Sequence, residues 1–256
     1  MKQMFERRVL AIGNQKGGVG KTTTALNLGV ELVNRGRTVI LVDADPQHSL
    51  TTSLGVDAAD SSLAEVLGDH RHGTKKMFEV IRKVREQGDR LWLVPSDLSL
   101  EVSSLGMLNR IGREILLKQA VATLQADCIL IDCPPSLGML TINALVAADQ
   151  VLVPVQAEFL GLRGLALFWQ TMRQVEPLNP HLKLLGILPT MTRRTRHHAE
   201  ILDAMNKIQA HIFDSIPLSV KASEAHAVGR AVSTLDGDNA VAKAYACLAR
   251  EVERLW

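Results

Sequence analysis

Short apolar runs alternate with stretches of helical spacing along this chain. VLAIG (Val9–Gly13), TVILVD (Thr38–Asp43), LWLVP (Leu91–Pro95), CILID (Cys128–Asp132), QVLVPV (Gln150–Val155) and LKLLGIL (Leu182–Leu188) are apolar segments of strand length. Amphipathic stretches fall between them. Thr22–Arg35 spaces Ala25, Leu28, Leu32 and Val33 along one side and meets Gly36, a helix followed by a glycine stop. Continuously apolar strands separated by helices predict an α/β fold, a mostly parallel twisted sheet with helices on both faces. Right-handed crossovers bring the strand carboxyl ends to one edge, where open sheets bind ligands. No repeat, low-complexity tract or proline-rich linker interrupts the alternation, so residues 1–256 are expected to form one domain. Gly55–Gly88 reads as helical, and within it Met77, Val80, Ile81 and Val84 recur at helical spacing.

Composition narrows the picture without naming a function. Of 256 residues, 46% are hydrophobic, enough to bury a full core. The 29 basic and 27 acidic side chains nearly cancel, so any basic surface must be a local cluster. Aromatic residues make up 4%, too few for a platform that stacks single-stranded bases. Cys128, Cys133 and Cys247 lack metal-ligand spacing and are expected to be reduced thiols. The segment before Val9 has no apolar signal core, and no run approaches the roughly 20 apolar residues of a membrane span. A cytoplasmic location is the expectation.

The densest chemistry is NQKGGVGKTTT (Asn14–Thr24). GGVGKTT follows a strand and opens a helix, the context in which a glycine-rich loop cradles phosphates. Gly17, Gly18, Val19 and Gly20 offer backbone N–H groups, and the helix N-terminus adds partial positive charge. Lys21 is expected on the β- and γ-phosphates, Thr22 on Mg²⁺ and Thr23 near the α-phosphate. Lys16 lies at the loop entrance, facing away from the body of the sheet. A lysine there is either solvated or reaches a neighbour, because Lys21 occupies the place on its own nucleotide.

Two acidic sites follow strands. LVDADPQ (Leu41–Gln47) sets Asp43 and Asp45 one residue apart at a strand end, pointing to the same side. Near a Mg-nucleotide they can hold metal-bound water or orient an attacking water. The plainer alternative is that they cap the following helix. ILIDCPPS (Ile129–Ser136) ends an apolar strand in Asp132, the Walker B arrangement, and Pro134-Pro135 fixes the loop after it.

Lys16–Thr23, written K-G-G-x-G-K-T-T, resembles the deviant Walker A motif of the ParA/MinD group of P-loop ATPases. DADPQ, DCPPS and TINALVAADQVLVPVQAEFLGLRGL (Thr141–Leu165) are similar to the ParA branch, and the resemblance spans nearly the whole chain. It implies an ATPase using ATP and Mg²⁺, with Asp45 bearing on hydrolysis and Asp43 and Asp132 supporting the metal. It implies that Lys16 crosses a homodimer formed on ATP binding and touches the partner's phosphates, supplying charge in trans as an arginine finger does. Four positions depart from the pattern: Arg163 replaces a common acid, His48 and Ser49 a small Gly-Asn pair, and Leu218 a common arginine.

The C-terminal third bears on the output. PTMTRRTRHHAEI packs Arg193, Arg194 and Arg196 with two histidines, a cluster suited to phosphate backbones or simply to water. SIPLSVKASEAHAVGRAV resembles the family stretch that contacts adenine near the proline, here Pro217, and offers basic residues to DNA, here Lys221 and Arg230. The resemblance therefore implies a short-form partition ATPase that binds double-stranded DNA without sequence preference, associates with the nucleoid and answers to a ParB-like activator. A second basic stretch, His70–Arg90, reads as solvated surface. The alternatives are a MinD-like regulator on a membrane surface and a positioner of protein cargo such as a carboxysome or chemoreceptor cluster. In Asp238–Trp256, Ala240, Ala244, Cys247, Leu248 and Val252 form a stripe expected to dock on the domain, and small residues with mixed charges make a poor membrane anchor.

Overall fold

Val9, Leu10, Ala11 and Ile12 are all buried, so β1 (Arg8–Ile12) must be covered on two sides. The computed structural model, which describes residues 7–58, 61–68 and 75–256, supplies that cover. Six further strands join β1: β2 (Val39–Asp43), β3 (Arg82–Lys83), β4 (Leu91–Val94), β5 (Cys128–Asp132), β6 (Gln150–Gln156) and β7 (Lys183–Thr190). Their order is β3-β4-β2-β5-β1-β6-β7, parallel throughout except for β3 against β4. The alternation of side chains along each strand divides the core. Leu10, Ile12, Leu41, Leu130 and Leu152 pack beneath α1 (Lys21–Asn34) and α12 (Ala240–Leu255). Val9, Ala11, Val42, Ile131 and Val153 face the layer holding α3 (Leu63–Leu67), α7 (Met139–Ala147) and α8 (Phe159–Val175). The expected α/β fold, with helices on both faces of a mostly parallel sheet, is the observed one.

Two expectations need correction. Met77 to Val84 is not one helix. One turn, α4 (Met77–Val80), gives way at Ile81, whose backbone is extended, to the edge strand β3. Arg82 and Lys83 pair antiparallel with Leu93 and Trp92. Met77, Val80 and Val84 are buried all the same, because a turn followed by a strand can present the same residues that a helix would. Of the second basic stretch, residues 70–74 lie outside the described residues. The docked stripe of α12 is also rotated from the expected one. Val241, Ala242, Tyr245, Leu248, Ala249 and Val252 are buried, whereas Ala240 is exposed and Ala244 and Cys247 are only partly covered.

Backbone geometry tightens the sheet's carboxyl edge. Gly36 ends α1 at φ +90°, as a left-handed stop requires. His48 stands at φ +45° just before α2 (Ser49–Ser53), a conformation that L side chains rarely adopt and that suits the glycine expected there by resemblance. Gly229 follows α10 (Val220–Ala227) at φ +70°, and a Cβ there would lie 2.2 Å from the Ser53 carbonyl oxygen. The end of α10 is thus seated directly on the end of α2.

The C-terminal helix is fastened to the helix that follows the phosphate loop. Tyr245 is 2% exposed, and its hydroxyl lies 3.2 Å from that of Thr24 on α1. Glu253 receives Arg35 and, at 2.6 Å, Arg37. Removing the buried hydroxyl in Tyr245→Phe is expected to cost about 1 kcal/mol, and Tyr245→Ala about 3–5 kcal/mol. Urea unfolding followed by circular dichroism measures both. Equal losses for the two substitutions would show that packing under α12 does not depend on the ring.

Candidate nucleotide-binding site

The loop from Gly13 to Gly20 leaves β1 and enters α1, its first part held by the Gly13 amide on the Leu152 carbonyl at 3.2 Å and the Lys16 amide on Asn14 Oδ1 at 3.1 Å. Gly18 and Gly20 adopt φ +72° and +87°, so side chains there would be strained. Gly20 is the N-cap of α1, and no side chain caps the helix. The loop is held from beneath. Thr190 at the end of β7 donates its hydroxyl to the Val19 carbonyl at 2.8 Å, and buried Asn14 donates to the Pro154 carbonyl at 2.7 Å. Uncapped amides on a rigid loop form a cradle for an anion.

Lys21 begins α1 and is buried. Its ammonium donates to the Lys16 carbonyl at 3.3 Å. Burial lowers its pKa, while nearby Asp132 works in the opposite direction.

Parallel registry places the carboxylates. Asp132 is level with Ile12 on one side and Asp43 on the other, so the two aspartates sit side by side at the ends of β5 and β2. Both are fully buried. Asp43 accepts the Thr51 amide at 2.8 Å and the Thr51 hydroxyl at 2.7 Å on one oxygen, and the Asp45 amide at 3.2 Å on the other. It anchors α2 through Thr51 at the strand end where a metal-supporting group was expected. Burial pushes its pKa up to about 6 despite those hydrogen bonds. Asp132 is different: neither oxygen has a hydrogen-bond partner. Burial and then the Asp43 charge raise its pKa well above the carboxylate range. The Thr22 hydroxyl is close enough to oppose that rise but falls short of a hydrogen bond. An orphaned buried carboxylate beside a hydroxyl and a phosphate cradle fits Mg²⁺, with Thr22 and Asp132 as the groups that would hold it.

Asp45 accepts the Gln47 amide at 3.0 Å and lines a cavity of about 270 Å³ shared with Gly17, Gly18, Gly20, Lys21, Thr22 and Thr23. Beyond Thr23 a smaller cavity, about 90 Å³, is lined by Gly20, Met191, Pro217 and Tyr245, where the base was expected. Pro217 reaches it because Leu218 donates to the Thr192 carbonyl at 3.0 Å, extending the edge of β7.

Lys16 does not face away from the sheet. Its ammonium folds across the end of β6 to Gln156 Oε1 at 3.0 Å and Glu158 Oε2 at 3.2 Å. Neither partner was foreseen, nor were Ser49, Met191 and His226 in the phosphate cavity. Their carriers are remote in sequence and form no motif with the loop. The basic residues fall into one region in part. Arg193 and Arg194 are exposed before α9 (Arg196–Asn206), and exposed Arg196 opens that helix. The bond between Thr192 and Leu218 sets this segment beside the start of α10, where Lys221 pairs with Glu224 at 3.0 Å. Arg230 is exposed beyond the other end of α10.

Phosphates on the loop amides and a divalent cation held by Thr22 and Asp132 would satisfy the groups this edge leaves open, which defines the class as a P-loop nucleotide-binding protein. The comparisons agree. A family profile described as an AAA domain matches residues 7–184. The sporulation initiation inhibitor protein Soj of Bacillus subtilis is 38% identical over 96% of this chain and 98% of its own length. The chromosome partitioning protein ParA of Caulobacter vibrioides is 39% identical over 96% of this chain and 93% of its own. A crystal structure of cobyrinic acid a,c-diamide synthase from Mycobacterium smegmatis, with bound ADP and magnesium, superposes with a TM-score of 0.84 at 38% identity, covering 98% of this chain and 96% of that one. The chain belongs to the ParA/Soj family of P-loop ATPases.

The buried aspartates carry a pH signature. Asp43 rises from an ordinary 3.8 to about 6, so the native state keeps a proton that the unfolded chain releases between those values. Raising the pH through that window therefore disfavours the folded, nucleotide-free protein, on the order of 3 kcal/mol for this group alone. Asp43→Asn is expected to remove that part of the slope, and Asp132→Asn to raise stability at pH 8 without nucleotide. Thermal unfolding from pH 4 to 8 measures both, and parallel curves for the native chain and both variants would show the pair is not strained.

Proposed function

We propose that this chain is an ATP-driven partition ATPase that binds double-stranded DNA without sequence preference as a homodimer and is stimulated by a ParB-like partner. The observation that carries the reading is the second lysine. Lys16 directly precedes Gly17, which lines the phosphate cavity, and its ammonium is held by Gln156 and Glu158 rather than by its own loop. Both holds are partly exposed and exchangeable, so the cation can pass to phosphates presented by a neighbouring copy.

The chemistry is phosphoryl transfer to water. Bound Mg²⁺ offsets charge on the phosphate oxygens. Loop amides and Lys21 hold the phosphates, Asp45 orients the attacking water, and Lys16 adds positive charge in trans. Turnover then dissolves the dimer. On the output side, Arg196 stands at the N-terminus of α9, where the helix dipole disfavours a cation and welcomes an anion. A DNA phosphate there would relieve the conflict. Two such surfaces in a dimer raise DNA affinity without new contacts. A membrane surface has less support, since the apolar side of α12 is spent in the core.

Relatives with this site include the amide-forming synthase named above, so ATP turnover alone does not separate the readings; DNA binding does. Binding to a random-sequence duplex is expected only with ATP or a slow-hydrolysing analogue, with log affinity falling by about 0.9 per phosphate contact for each decade of salt. Equal binding with ADP and ATP at low salt would overturn the reading. Asp45→Ala is expected to bind DNA with ATP but to turn over at least about 100-fold more slowly. Lys16→Ala is expected to lose stimulated turnover while ATP affinity changes little; equal losses in both would contradict the role in trans.

A further inference from the structure

His226 ends α10, far from the phosphate loop in sequence, yet its imidazole lines the phosphate cavity together with Thr22, Thr23 and Asp45. The ring is half-buried and cannot drift. Behind it Gly229 sits against the Ser53 carbonyl with no room for a Cβ, and Gln87 donates to the Gly229 carbonyl at 2.9 Å. In front, both ring nitrogens lie 2.9 Å from the Ser53 hydroxyl oxygen. That hydroxyl donates to the Ser49 carbonyl at 2.6 Å, so its oxygen can only accept from the ring. Burial lowers the His226 pKa, leaving the ring neutral at pH 7 with one hydrogen to give. The N–H and lone-pair directions of the two nitrogens diverge, so an oxygen equidistant from both lies along neither, and the ring's one hydrogen makes no well-aligned bond to Ser53. A ligand in the cavity resolves this poor contact by offering the ring another oxygen acceptor.

We infer that His226 is a nucleotide-contacting residue, its imidazole donating a hydrogen bond to the phosphate chain from the side opposite Lys21's loop. The inference rests on the ATP-site reading above. It assigns α10 a direct hand on the ligand and joins that hand, through Ser53 and Ser49, to α2, the helix that follows Asp45. The segment that bears Lys221 thereby senses whether the cavity is filled.

The test measures the affinity of the full chain for Mg-ADP and Mg-ATPγS by calorimetry, alongside His226→Ala and His226→Gln. Loss of one neutral hydrogen bond predicts about three- to tenfold weaker binding of both ligands in His226→Ala, with His226→Gln closer to the native chain because its amide can donate. Affinities within twofold of the native chain for His226→Ala would overturn the inference. If the native chain bound neither nucleotide, the site reading itself would fall instead. Should His226→Ala not fold, the ring is followed in the native chain by NMR, its resonance identified by its absence from His226→Gln. A shift on adding Mg-ADP supports the contact, and an unmoved resonance overturns it.

Discussion

Asp43 and Asp132 lie side by side at the buried ends of two parallel strands, and the cost of burying both carboxylates organises the carboxyl edge of the sheet. Two carboxylates without water cannot both ionise cheaply. Asp43 is eased by the Thr51 amide and hydroxyl, which ties α2 to β2. Asp132 is eased only by the nearby Lys21 charge and the neighbouring Thr22 hydroxyl. A divalent cation completes the balance. Nucleotide affinity, the placement of α2 and the pH response of the empty protein thus share one electrostatic origin.

The same edge explains how a signal leaves the site. The loop after β2 carries Asp45, and α2 is clamped between Asp43 on one side and the end of α10 on the other. The two segments with exposed basic residues meet where Leu218 bonds Thr192, next to the small cavity lined by Pro217. The two cavities therefore adjoin both Asp45 and the segments that carry the exposed basic residues. Lys16 adds a third connection, since the cation at the loop mouth is held by residues that close β6 and lead into α8.

Physical constraint decides which parts of this could be read in advance. The strands were legible because a buried parallel strand must be apolar on both faces, which leaves a run no other element needs. The phosphate loop was legible because glycine, lysine and threonine have fixed jobs around a phosphate. The stretch from Met77 to Val84 was misread because burial at intervals of three and four suits a helical turn followed by an edge strand as well as it suits a helix. The stripe on α12 was misplaced for a related reason: small residues such as Ala240 and Ala242 do not declare their side, and the large ring of Tyr245 sets the rotation.

The sequence by itself determined the fold class and the place of the phosphate loop, and it singled out Lys21, Thr22, Asp45 and Asp132 as candidates, because glycines, lysine, threonine and aspartate at strand ends leave a local pattern. Tertiary structure alone decided the roles that depend on register and on distant neighbours. It made Asp43 the anchor of α2, because the Thr51 amide and hydroxyl both arrive at one of its oxygens. It folded Lys16 onto Glu158, 142 residues away, because β1 and β6 run side by side. It brought His226 into the lining of the phosphate cavity and against Ser53, 173 residues away, because Gly229 lets two backbones approach so closely. Contacts of that span leave no periodic or local trace along a chain, which is why packing and not pattern had to reveal them.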